Sequence, residues 1–237
     1  MLRRSMYRKM LIATALVGLL LAAATGAFAD HAWGVYHWRS DNLSPTVVDT
    51  TSSSLYDVGA GVAEWAALGT AIQPTLVNGR KGNIKVTEGS SVQWLGLARI
   101  FIDGEGHITK GEVKLNTTYL EIYEATYPGI SDHVLCQELG HVLGLGHNRD
   151  GLTGGTPDDS CMNDQGHLGE YTAPNSHDTD QLNLIYNHTD AVSGGDDDDG
   201  GGGGGGGGGP PCGKFPDHHH CQTQNGYWLT VDVFPMP

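Results

Sequence analysis

The chain is 237 residues long, 38% hydrophobic, with 36 glycines and a formal net charge of −14 at pH 7. So acidic a surface repels polyanions and argues against a nucleic-acid partner. The length holds one ordinary domain with a real core, and abrupt shifts of composition at both ends mark what lies outside it.

Residues 1–29 have the three parts of a secretory signal peptide. Arg3, Arg4, Arg8 and Lys9 come first, then an apolar run from residue 10 to about residue 24, then Ala27-Phe28-Ala29 as the cleavage site. The run is shorter than the roughly 20 residues a membrane-spanning helix needs. Export with cleavage before Asp30 is therefore expected, not an anchor. Cleavage removes four of the 13 basic residues and no acidic one, leaving nine against 27 and a charge of −18. The mature chain is expected to be secreted, extracellular, free of the membrane and monomeric.

Residues 30–192 read as one domain. Bulky and polar residues alternate over 31–38, and Pro45-Thr-Val-Val begins a second extended piece. Leu55, Val58, Val62 and Trp65 share a helical face within 52–68, with Ser52, Ser53 and Ser54 as candidate caps and Trp65 as a core residue. Strand-like runs follow at 72–77, 84–87 and 94–102. Asp103-Gly-Glu-Gly then reads as a hairpin turn into 107–116. After the Tyr127-Pro-Gly turn, Ser131 or Asp132 can cap a further helix. Asn175 or Ser176 can cap a last one that buries Leu182, Ile185 and Tyr186. His177 and Asp178 at its start either cap it or reach inward. This order predicts an α+β domain whose mixed sheet backs a helix.

That helix carries His133-Val-Leu-Cys-Gln-Glu-Leu-Gly-His-Val-Leu-Gly-Leu-Gly-His147. Gln137 and His141 are four residues apart and share one helical face, and Glu138 flanks it. Gly144 allows a sharp reversal that returns His147 towards His141. Two imidazoles and a carboxylate converging in this way are what a zinc site with a general base needs. His133 lies eight residues before His141, about 12 Å along a helix axis, and is read as a packing or supporting residue.

The stretch resembles the metzincin zinc-protease signature H-E-x-x-H-x-x-G-x-x-H, with Gln137 where the first histidine stands and Glu138, His141, Gly144 and His147 in their places. The resemblance, matrixin-like in its order of elements, implies a mixed sheet, an active-site helix, a Met-turn and a C-terminal helix. It implies zinc held by Gln137, His141 and His147, Glu138 as general base, and a polypeptide substrate hydrolysed by a metal-activated water. It implies a sheet edge that holds the substrate as an added strand, here expected within residues 108–116. Met162, after Cys161, resembles the Met-turn. His167 and Tyr171 are further candidates for a ligand or a transition-state hydrogen bond.

Cys136 and Cys161 precede Gln137 and Met162. In a metzincin-like fold those segments meet beneath the metal, so the resemblance implies a disulfide between them, leaving Cys212 and Cys221 as the other pair. Four cysteines allow three connectivities. A Cys136 thiolate would point away from the Gln137–His141 face, which disfavours it as a zinc ligand. Residues 193–211, with Asp196, Asp197, Asp198 and Asp199 followed by ten glycines, read as a flexible linker. Residues 212–237 read as a small disulfide-containing tail. The expected function is a secreted zinc metalloendopeptidase; the alternative is an inactive metzincin-like binding module.

Overall fold

The computed structural model describes residues 31–148, 159–163, 169–190, 213–214, 218–222 and 228–235. The expected signal peptide 1–29 and linker 193–211 lie outside the described residues, as do His167 and Cys212, and with Cys212 its expected pairing to Cys221.

Six strands come first in chain order. They are β1 (His37–Trp38), β2 (Thr46–Asp49), β3 (Thr75–Leu76), β4 (Ile84–Gly89), β5 (Trp94–Ile102) and β6 (His107–Asn116). Three more follow near the C-terminus: β7 (Gly213–Lys214), β8 (His218–Gln222) and β9 (Trp228–Pro235). All nine join one sheet in the order β3-β2-β4-β6-β5-β9-β8-β7, with β1 beside β6. Pairing is parallel from β3 to β6 and for β1 with β6, and antiparallel from β6 through β5 to β7.

The β5–β6 hairpin forms where the sequence predicts it. Asp103 makes the turn, its Oδ1 accepting from the amides of Glu105 and His107, each at 2.9 Å. The expected substrate edge within 108–116 is corrected, because β6 is interior. β4 and β1 pair on one side of it and β5 on the other. The outer side of β5 pairs with β9.

Helix α1 (Val58–Ala67) starts later than its apolar pattern suggests. The Ser52 and Ser53 amides and the Ser52 hydroxyl are taken by the Glu88 carboxylate, which holds that stretch outside the helix. Asp57 caps instead, accepting from Ala60 N at 2.9 Å. Helix α2 (Thr117–Glu124) follows β6 directly and has no long apolar pattern to announce it.

Helix α3 (Ile130–Val142) is buried on almost every face. Neither Ser131 nor Asp132 caps it. The Glu124 carboxylate closes its start from α2, accepting from the Gly129 amide, the Ser131 amide and the Ser131 hydroxyl. Two tryptophans hold its backbone: Trp65 Nε1 donates to Cys136 O at 3.1 Å and Trp38 Nε1 to Val142 O at 2.9 Å. Both are essentially fully buried, and truncating either to alanine is expected to cost about 3–5 kcal/mol. Helix α4 (Ser176–Ile185) has the expected start, with Asn175 and Asp178 forming a capping box. Among the described residues no helix is long and apolar enough to cross a membrane.

Candidate functional site

Three side chains of the motif project from α3 into buried space. Gln137, Glu138 and His141 are each at most 1% exposed. Past Leu143 the chain reverses at Gly144, which has φ +105°, and a β-carbon there would meet the Tyr36 carbonyl at 2.9 Å. No other residue type fits that turn without strain. The reversal brings the half-buried His147 ring within 4.6 Å of the His141 ring, centroid to centroid.

His141 is fixed from behind. Its Nδ1 lies 2.8 Å from Leu145 O, a group that only accepts, so Nδ1 carries the hydrogen and Nε2 keeps its lone pair. Trp33 packs against the same ring at 5.6 Å. It belongs to an N-terminal segment that runs antiparallel to the reversal through the Ala32–Leu145 bridge.

Gln137 has its amide held at one end only. Nε2 donates to Cys161 O at 3.1 Å. Because a carbonyl cannot donate, the nitrogen must face it and Oε1 must face the other way. That oxygen is buried and has no hydrogen-bond partner among the described residues. A buried amide oxygen left bare costs about 1–3 kcal/mol.

Cys136 and Cys161 are disulfide-bonded, with Cα atoms 5.9 Å apart. The bond ties α3 to the segment whose carbonyl orients Gln137. The next residue, Met162, is fully buried beneath the helix, its amide donating to Ser160 Oγ at 2.9 Å. A β-carbon on Gly140 would collide with Met162 Sδ and Trp65. The carbonyl of Met162 receives the Asn148 amide at 2.8 Å, beside His147.

Glu138 faces the sheet. A β-carbon on Gly96 of β5 would collide with Glu138 Oε1 and Val134 Cγ1, so glycine there is what admits the carboxylate against the strand. His133 is buried within α3. His177 stacks on His31, ring centroids 4.8 Å apart, and Asp178 accepts from Ser160 Oγ at 2.6 Å and lies 3.8 Å from His31 Nε2. Tyr171 is half-buried in the segment leading to α4.

The structure therefore brings Gln137, Glu138, His141, His147, Met162 and the Cys136–Cys161 bridge into one region. Sequence reasoning missed Trp33, His31 and Gly96. Only Gly96 carried a signal, as a glycine interrupting an apolar strand. The Gln137 amide oxygen and the His141 and His147 imidazoles are donor types that zinc accepts.

No protein-family model matches the chain, and no curated protein matches it. Among solved structures it is similar to high choriolytic enzyme 1, a hatching-enzyme zinc protease from the medaka fish Oryzias latipes. The likeness has 13% identity and a TM-score of 0.34, over 65% of this chain and 94% of that one. That is too low to carry fold or activity from one chain to the other.

Proposed function

We propose that the chain is a secreted zinc metalloendopeptidase in which Gln137, His141 and His147 hold the metal and Glu138 is the general base. The observation that carries this reading is the buried Oε1 of Gln137, unpartnered among the described residues, at the position where the motif calls for a first ligand. Gln137 is a weaker donor than imidazole, because its oxygen is neutral.

Zinc, when bound, acts as a Lewis acid that acidifies water and polarises a carbonyl. Glu138 takes the water proton and returns it to the leaving amine. Its place against Gly96 keeps the carboxylate beside β5. The Leu145 carbonyl holds His141 in one tautomer, and Met162 serves as the Met-turn, supporting the helix at Gly140.

An extended polypeptide would add antiparallel to the outer edge of β5, through main-chain hydrogen bonds. In this chain β9 holds that edge, with Trp94 opposite Pro235 and Ile102 opposite Trp228. Substrate must therefore displace the chain's own C-terminal strand. The same pairing favours a second reading, an inactive binding module whose cleft is filled from within.

Zinc content and affinity of the mature chain, beside Gln137→His, separate the two. Zinc in the native protein, with hydrolysis of unfolded protein substrates, supports the peptidase. One more zinc per chain in Gln137→His than in the native protein, with no hydrolysis by the native protein, shows that glutamine has silenced the site.

A further inference from the structure

Away from the motif, three histidines from distant segments turn their rings on one carboxylate oxygen. His37 Nε2, His107 Nε2 and His188 Nε2 lie 3.1, 3.3 and 3.3 Å from Asp190 Oδ1. His37 and His188 also face each other, nitrogen to nitrogen, at 3.0 Å. The ligand atoms of His37, His188 and Asp190 all lie within 4.8 Å of one another. The β1–β6 register sets His37 opposite His107, with ring centroids 5.1 Å apart.

The hydrogen-bond partners behind the rings fix which nitrogen faces the carboxylate. His37 Nδ1 lies 2.8 Å from Val35 O, and His107 Nδ1 lies 3.2 Å from Asp103 Oδ2. Both partners only accept, so both Nδ1 atoms carry hydrogen, and in the neutral form, the one that binds metal, Nε2 has the lone pair. Those lone pairs face a carboxylate oxygen, and only one proton fits between His37 and His188. A cation among the four groups removes the repulsion.

The spacing fits a particular cation. Zinc bonds of about 2.0–2.1 Å in tetrahedral array put neighbouring ligand atoms about 3.3–3.4 Å apart. His37 and His188 are 3.0 Å apart, and they lie 3.1 and 3.3 Å from Asp190 Oδ1. The outer groups are those a metal site carries: Val35 O behind His37, Asp103 behind His107, and the Ser40 amide donating to Asp190 Oδ2 at 2.6 Å.

We infer that His37, His188 and Asp190 hold a second zinc, with His107 beside them against Asp190, separate from the Gln137–His141–His147 region. It fastens β1, the start of β6 and the segment after α4 to one another, joining the two ends of the domain.

The test is zinc per chain, measured by elemental analysis on the full mature protein, with cobalt as a spectroscopic probe. A protein with His141→Ala and His147→Ala is expected to keep about one zinc per chain. Adding His188→Ala is expected to remove it, and to abolish the visible absorption of tetrahedral cobalt. Because His141 is buried, His188→Ala alone is the second measurement. Its ring is 45% exposed, and the otherwise unchanged chain is expected to lose one equivalent relative to native. Zinc content unaffected by His188→Ala overturns the inference. So does an absence of zinc from the folded double-histidine variant. Neither result bears on whether the motif region holds its own metal.

Discussion

The two histidine groups of this molecule are built in opposite ways. Gln137, Glu138, His141 and His147 come from one helix and the turn that ends it, so their grouping is written in residue spacing. His37, His107, His188 and Asp190 come from three segments, with a sequence separation of 151 from His37 to His188. They meet only because the β1–β6 register and the end of α4 bring them together. A local site survives as a motif in the sequence; an assembled one exists only in the fold.

The sharpest way to press that contrast is at the chemistry. Glu138→Ala is expected to lower kcat/KM on unfolded protein substrates by about 10²–10⁴-fold while zinc content holds. Undiminished hydrolysis would remove Glu138 from its role as base.

The second test asks how local the motif region is. Replacing Cys136 and Cys161 by serine releases a tether across a sequence separation of 25. Urea unfolding is expected to show a loss of about 3.5 kcal/mol in the chain-entropy picture. A loss close to zero would mean that α3 needs no help from the Met162 segment.

Gly96→Ala probes the one part of the motif region supplied by the sheet. The added carbon meets Glu138 and Val134, and a cost of about 1–3 kcal/mol is expected, together with reduced peptidase activity. Unchanged stability and turnover would show that β5 does not shape the carboxylate's position.

The smallest effect tests the helix start. Burial opposes the charge on Glu124, but the Gly129 amide and the Ser131 hydroxyl and amide outweigh it and hold the carboxyl below its ordinary value. A lowered folded value gives stability that is present at neutral pH and lost as pH falls through that value. Glu124→Gln is expected to cost about 1 kcal/mol at neutral pH, and the deficit is expected to fade in acid. Urea titrations of both proteins at the two pH values check this; a deficit independent of pH would assign the effect to shape alone.

Much of the fold was legible where a pattern runs within one element. The β5–β6 hairpin, the face of α1 bearing Trp65, the α4 cap at Asn175 and the motif-bearing turns of α3 follow from local spacing and turn chemistry. What was illegible depended on distant partners. Ser52 and Ser53 look like helix caps until Glu88 takes them, and Ser131 looks like one until Glu124 arrives from α2. Residues 108–116 read as a possible edge because nothing in their sequence says that β4 and β1 will pair there. The Gln137 substitution was visible at once. Its consequence, an amide fixed by Cys161 O with its oxygen left bare, needed the disulfide-linked segment to be in place.

The sheet finishes at both ends in two-residue strands, Thr75–Leu76 and Gly213–Lys214. An open edge displays unpaired amides and carbonyls that can recruit another copy of the chain and grow into a fibre. Two residues offer too few bonds to hold a stacked neighbour. The nine residues of β5 would be the better template, but β9 covers them. Among the described residues the sheet therefore offers little edge on which aggregation can start.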